Sequence, residues 1–301
     1  MKRQRIFITG AAGYIGRHFI QASQTKDSQL RAFSRQACPG WLPPNIEWVQ
    51  GDISDTAQMA AAIHGCDAIL HLASLSILTA AQDPELDYRV SVFGTGRLLA
   101  KAREAQVKSF VFTSSAQVYG PQSRLPLRED MECRPQTVYG QHKLMAEEIA
   151  LDEANQGVSV LGLFNVYGGE WGGVDRATAE ASFARRLASG KAPVLHGHPG
   201  EGRDFIHMDD VVRAIWSALE REGKNDRINV GSGRLTTLQQ LAEVMIGISG
   251  LPLASEMQPG VGQPLLLQAD TKKASSMLQF TPSVPLEEGL RGLIEHAESA
   301  Q

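Results

Sequence analysis

The 301 residues carry 29 Lys and Arg against 33 Asp and Glu, a net charge of −4 with no basic stripe, so no nucleic-acid partner is expected. Hydrophobic residues make up 43% and charged residues 21%, enough apolar matter for one large domain or two intimate ones, while the apolar run after the basic MKRQR is only IFI, too short for a signal peptide or for the roughly 18 residues of a membrane span. The three cysteines, Cys38, Cys66 and Cys133, are scattered and suit neither a disulfide framework nor a metal site, which predicts a cytoplasmic protein with reduced thiols, no metal and no membrane partner.

In chain order, RIFITG (5–10) predicts a strand, followed by a helix with Ile15, Phe19 and Ala22 at helical spacing. Further strands are predicted over 29–35, 46–52 and 66–74, with a helix over TAQMAAAIHG between the last two. A helix over 92–106 has its apolar face at Val92, Leu98, Leu99 and Ala102. A strand over 108–115, a helix opening near Tyr139 and a strand over 158–168 complete the alternation. Alternating strands and helices predict an α/β fold, a Rossmann-type doubly wound parallel sheet. The last third is richer in Pro and Gly and reads as a smaller, irregular C-terminal substrate lobe. The expected division is 1–164, with about 204–230 returning, for the nucleotide-binding domain, and about 165–203 and 231–301 for the lobe.

TGAAGYIG sets Gly10, Gly13 and Gly16 at the first strand-to-helix turn, with Tyr14 and Ile15 opening the helix. Glycines there let a pyrophosphate approach the backbone, and the helix N-terminus supplies N–H groups and a favourable dipole. At the end of the second strand, Ser34 stands where an acidic residue would hold the ribose 2′-hydroxyl of NAD. Arg35 follows, and a guanidinium suits a 2′-phosphate, so NADP is expected, with NAD as the alternative. Asp52, beside Ile53, is placed either to accept from the adenine amino group or to cap the next helix. The turn Leu72, Ala73, Ser74 is assigned to the cofactor as well, and Ser74, Ser76 and Thr79 are candidate hydroxyl contacts to a sugar.

Tyr139 and Lys143 lie at i and i+4 and share one helical face. A nearby ammonium favours the phenolate, so the pair is either a tuned acid/base or an ordinary surface Tyr and Lys.

The ordered segments TGAAGYIG, GDISD, ILHLAS, GTGRLLAKA, FVFTSSAQVYG, YGQHKLMAEE, LFNVYG, RDFIHMDDVVRAI, INVGSG and ADTKKA together resemble the extended short-chain dehydrogenase/reductase family, in its sugar-nucleotide epimerase/dehydratase branch. The resemblance implies that Tyr139 is the catalytic acid/base and that Lys143 lowers its pKa and binds the nicotinamide ribose. It implies that Ser115 hydrogen-bonds the same substrate oxygen, and that Asn165 and Arg203 contact the diphosphate of a nucleotide-sugar. A salt bridge from Arg203 to Asp204 or Asp209 is the competing expectation. His207 is expected to be structural, with Asp209 or Asp210 capping the helix after it.

Three positions depart from the family pattern. Ala116 and Gln117 replace the Asp-Glu pair with which dehydratases of this branch eliminate water; neither can serve as that acid, so 4,6-dehydratase activity is not expected. Ser91 replaces an asparagine. No late phosphate-gripping arginine stands near EMQPGVGQP, where Gln258 or Gln263 occurs instead. The expected function is an NADPH-dependent reductase of a 4-keto-6-deoxy nucleotide-sugar. The alternatives are a nucleotide-sugar 4-epimerase that retains NAD and, in another class, a catalytically idle NADP-binding regulatory protein. The resemblance also implies a homodimer formed by the 92–106 helix and the one from Tyr139. Sugar identity is expected to depend on the loops 74–90, 120–135 and 168–202.

Overall fold

Strands covered on both faces of a parallel sheet need continuous apolar runs rather than alternation, and the first strand has one: Ile6 to Thr9 are all buried. The computed structural model describes residues 4–152, 157–169, 176–198, 200–221, 225–259 and 264–300. The chain runs β1 (Gln4–Thr9), α1 (Tyr14–Ala22), β2 (Ser28–Ser34), β3 (Glu47–Gln50), α2 (Thr56–Ile63), β4 (Ala68–His71), α3 (Ile77–Gln82) and α4 (Pro84–Asp87). A π-helical stretch, Tyr88–Phe93, leads into α5 (Gly94–Glu104), followed by β5 (Ser109–Ser115), α6 (Val138–Asp152) and β6 (Val158–Leu163). Then come β7 (Asn165–Tyr167), α7 (Ala179–Ala188), β8 (Val194–Gly197), β9 (Gly202–His207), α8 (Met208–Leu219) and β10 (Asp226–Val230). The remainder is β11 (Leu235–Thr237), α9 (Leu238–Ser249), β12 (Glu256–Pro259), β13 (Leu266–Leu267), α10 (Lys272–Leu278) and α11 (Leu286–Ser299).

The seven-stranded sheet has the order β10-β6-β5-β4-β1-β2-β3. β1 pairs in parallel with both β2 and β4, so the strand order reverses between β1 and β4. That reversal opens a crevice at the carboxyl ends of the strands.

The chain forms two compact units. The first comprises residues up to Gly120, Met131–Gly162 and Ala214–Ile228. Its core packs Phe7, Ile69, Phe110 and Phe112 of the sheet against Leu98, Leu99 and Ala146 of the helices. The second comprises Pro121–Asp130, Leu163–Arg213 and the chain from Asn229. In it β11, β9 and β13 form a sheet that β7 joins, and β8 pairs with β12. Tyr167 and Phe205 pack there with Phe183, Leu241 and Leu290 of α7, α9 and α11.

Three expectations change. The strand expected over 158–168 divides: β6 ends at Leu163, and Asn165 pairs with Phe205 in the other sheet. A polar Asn ends a run that is buried on both faces, and the Phe164 N–H donates to Val230 O at 3.0 Å at the break. The helix expected from 92 begins at Pro84, because Asp83 accepts the Leu86 N–H at 2.9 Å and Pro84 fits the first turn. The last third is more regular than its Pro and Gly content suggests, since Thr237 and Gln240 form a capping box for α9 and Gly250 closes it at φ 68.

Candidate active site

The turn after β1 is built for close backbone approach. Gly10 has φ +66, and a Cβ there would lie 2.7 Å from the Ala73 nitrogen. A Cβ at Gly16 would lie 2.6 Å from the Gly10 carbonyl oxygen, so helix and turn could not close. Gly13 is the N-cap of α1 and brings no capping side chain, which leaves that end of the helix to a ligand. Tyr14 and Ile15 form the first turn, and the Tyr14 ring meets His18 edge-on at 5.0 Å.

A cavity of about 270 Å³ opens on this turn. Its lining comes from the carboxyl ends of adjacent strands: Gly10 and Gly13 after β1, Ser34 and Arg35 at β2, Asp52 and Ile53 after β3, and Leu72, Ala73 and Ser74 after β4. A cradle that any Cβ would fill, at an uncapped helix N-terminus, fits a dinucleotide pyrophosphate. At the far rim the Ser34 hydroxyl accepts the Gln36 N–H at 3.2 Å, while the Gln50 amide and the Trp48 indole donate to the Arg35 and Gln36 carbonyls. The turn is thus fixed, and the Arg35 side chain is exposed. Asp52 accepts the Ser54 N–H at 2.8 Å. Burial opposes its charge, but the Ser54 hydrogen bonds and the Arg35 and Arg89 guanidiniums hold its carboxyl below the usual range. The cap of α2 is Asp55, not Asp52: it accepts from the Ala57 and Gln58 N–H groups.

Ser115 ends β5 half-buried, its hydroxyl accepting the Gln117 N–H at 3.2 Å, whereas its neighbour Ser114 is buried on the side of Glu147. Strand alternation therefore singles out Ser115. Tyr139 and Lys143 both lie in α6. Lys143 is 3% exposed. Its ammonium donates to Thr113 O at 2.9 Å and lies 4.9 Å from the Phe112 ring centre and 5.9 Å from that of Tyr139. Burial lowers its pKa to about 8, against the pull of the Asp87 and Glu147 carboxylates.

Several polar residues around this pair were not anticipated. His71 is buried, with Nδ1 2.7 Å from Thr9 Oγ1 and Nε2 2.9 Å from Thr95 Oγ1. Burial, with the Lys143 charge, lowers its pKa to about 3. A histidine within the apolar run AILHL was the available signal. His142 Nδ1 lies 2.8 Å from Asp87 Oδ2, and Arg227 forms an ion pair with the buried Glu147.

Asn165 and Arg203 belong to the second unit, on β7 and β9. Arg203 pairs with Glu201 rather than with Asp204 or Asp209, and donates to the carbonyls of Leu265 at 2.5 Å and Gly202 at 3.1 Å. Asp204 instead faces Ser232, Gly233 and Ala269, accepting their N–H groups at 2.6, 2.8 and 3.0 Å. Neither Asp209 nor Asp210 caps α8. The His207 ring accepts the Asp209 N–H at 3.3 Å, while Asp210, buried, holds Ser283 and Val284. Ser76 caps α3, accepting the Thr79 N–H at 3.1 Å, and the Ser74 hydroxyl donates to Leu75 O at 3.0 Å. Gln258 lies on β12, paired with His196, and Gln263 lies outside the described residues. Among the described residues no group of three or more His, Cys, Asp or Glu could hold a metal ion, and no helix is long and apolar enough to cross a membrane.

The sequence model of the NAD dependent epimerase/dehydratase family matches residues 6–231. A UDP-glucose 4-epimerase of Mycolicibacterium smegmatis is 30% identical over 97% of each chain. Among solved structures, the UDP-glucose 4-epimerase of Thermotoga maritima with UDP-glucose superposes at a TM-score of 0.89, 28% identical over 99% of each chain. MoeE5 in complex with UDP-glucuronic acid and NAD superposes at 0.88, 28% identical over 99% of this chain and 100% of that one.

Proposed function

Since the chain belongs to the NAD dependent epimerase/dehydratase family, we propose that it is a nucleotide-sugar 4-epimerase, with a UDP-hexose as substrate and NAD as retained cofactor. It is an enzyme of the extended short-chain dehydrogenase/reductase type. One observation carries the reading: Ser115, Tyr139 and Lys143 share a unit with the dinucleotide cradle, while Ala116, where a dehydratase needs an acid, is an inert buried methyl. The relatives support an epimerase over the expected 4-keto-sugar reductase, because UDP-glucose 4-epimerases match along nearly the whole chain. NAD replaces NADP as the proposed cofactor on the strength of the NAD held by MoeE5.

When bound, the nicotinamide supplies the hydride acceptor and donor. The Tyr139 phenolate takes the proton from the sugar 4-hydroxyl and later returns it. The Ser115 hydroxyl donates to the same oxygen and holds it in place. The Lys143 ammonium stabilises the phenolate. On the substrate side, Asn165 and Arg203 are the proposed diphosphate contacts, with Ser76 a further polar contact to the sugar.

We also propose a second copy of this chain on the face formed by α6 and the run into α5, where Phe93 is 52% and Met145 45% exposed beside Tyr88 and Ile149. Light scattering on wild type and Phe93→Asp tests this. A dimer that becomes monomeric supports it, and a monomeric wild type rejects it.

The deciding experiment incubates the protein with UDP-glucose and, separately, UDP-galactose. An epimerase brings both to one equilibrium mixture with no net change in nicotinamide absorbance. Stoichiometric NADPH oxidation by a 4-keto sugar, with no epimerisation of UDP-, GDP- or dTDP-hexoses, would reject the reading.

A further inference from the structure

Arg203, the proposed diphosphate contact, is already engaged by the protein itself. Both Nη1 protons go to backbone, to Gly202 O at 3.1 Å and Leu265 O at 2.5 Å, and Nη2 donates to Glu201 Oε1 in an ion pair. A guanidinium has five N–H donors and no acceptor, so the Nε proton and one Nη2 proton remain. Those two atoms form the edge that a phosphate would take as a fork, and Glu201 sits on its Nη2 end.

The local chain puts the carboxylate there. Side chains alternate along β9: Asp204 turns to Ser232, Gly233 and Ala269, which leaves Arg203 and Phe205 on the other face. Asn165 is the parallel partner of Phe205, so it shares that face with Arg203. Glu201 precedes β9 in a turn closed by its own N–H to His198 O at 2.9 Å, and a Cβ at Gly197 would lie 2.9 Å from its Oε2. Gly197, at φ +124, thus leaves the space that the carboxylate fills. The Arg203 and Glu201 side chains are 14% and 23% exposed, and among the described residues neither has another ion-pair partner.

We propose that Glu201 is a specificity-determining residue of the diphosphate site, a built-in anion that competes with the substrate for Arg203 and keeps the hold on nucleoside diphosphates loose. The inference rests on the reading of Arg203 as the diphosphate contact. An anion arriving at the Nε–Nη2 edge either shares Nη2 with Glu201 or displaces it, and both oppose binding. Neutralising Glu201 removes that repulsion and leaves a largely buried cation whose counter-charge only the ligand can supply. Orientation of the guanidinium does not depend on Glu201, since two backbone carbonyls hold Nη1. Both epimers of a UDP-hexose carry the same diphosphate, so the loose hold acts equally on substrate and product.

Calorimetric titration of the NAD-loaded protein with UDP, and with uridine as the phosphate-free control, tests this. Glu201→Gln, which keeps the shape and removes the charge, is expected to tighten UDP about fivefold or more and to leave uridine binding unchanged. UDP affinity that is unchanged or weaker overturns the proposal, as does an equal gain for uridine. If Glu201→Gln does not fold, Glu201→Asp decides: one methylene shorter, it withdraws the carboxylate from Nη2, so UDP again tightens, and unchanged or weaker binding overturns the proposal. Arg203→Met judges the underlying assignment separately. A loss of UDP affinity supports it, and an unchanged affinity overturns it together with the proposal. The UDP-glucose assay judges the epimerase reading. If that reading holds, Glu201→Gln lowers KM with no gain in kcat.

Discussion

The Lys143 ammonium donates to the Thr113 carbonyl at 2.9 Å, and Thr113 in turn donates its hydroxyl to the His71 carbonyl at 3.3 Å. The lysine is thereby anchored to β5 in a site where burial brings its pKa to about 8. In the cofactor-free protein its charge is lost as pH rises through about 8, below the ordinary lysine value of 10.5. The unfolded chain binds more protons between these two values, so this group makes stability rise with pH across that window. Comparing the pH dependence of urea unfolding in wild type and Lys143→Met should show a more positive slope between about pH 8 and 10.5 in wild type.

Tyr139→Phe removes the proton carrier but keeps the ring. We expect kcat to fall roughly 10²- to 10⁴-fold, with NAD still bound and KM within a few fold. Loss of bound NAD on this change would mean that the tyrosine acts in cofactor retention.

Gly16→Ala places a methyl 2.6 Å from the Gly10 carbonyl oxygen and 2.7 Å from that of Ala11. Both partners are backbone, so the turn has to move. Calorimetric titration should show NAD affinity weakened by about tenfold or more, a loss of roughly 1.4 kcal/mol, while circular dichroism stays near wild type.

The cradle, the strand-helix alternation and the Tyr139–Lys143 spacing were readable in the sequence because each is set by neighbours within a few residues. Glycine at a positive φ and side chains four apart on a helix need no distant partner. The Thr9, His71, Thr95 and Asp87 assembly was not readable, since it joins residues from β1, β4, α4 and α5 that only the fold brings together. For Arg203 a salt bridge to Asp204 or Asp209 was the competing expectation, and the carboxylate it meets is Glu201, two residues before it, in a local geometry the motif does not encode.

His71 is held neutral by burial, its pKa lowered from 6.5 to about 3. Its contribution to stability is present above 6.5 and lost as pH falls toward 3, because the unfolded imidazole takes up a proton that the folded one refuses. Heteronuclear NMR of the histidine rings should show the His71 ring neutral at both pH 8 and pH 5.

Asp204→Ala deprives the Ser232, Gly233 and Ala269 N–H groups of their shared acceptor in a buried setting. A loss of about 3 kcal/mol or more is expected in denaturant unfolding, where an exposed aspartate such as Asp130 should change little when replaced.

The polypeptide passes between its two units at Gly120, Asp130, Gly162, Arg213 and Ile228. Each unit is therefore a composite of segments that are not consecutive in the gene. A recombinant made by a single crossover within that stretch inherits both units as hybrids of two parents, and a crossover between residues 147 and 227 draws the ion-paired Glu147 and Arg227 from different parents. The two units therefore cannot be exchanged whole by one crossover.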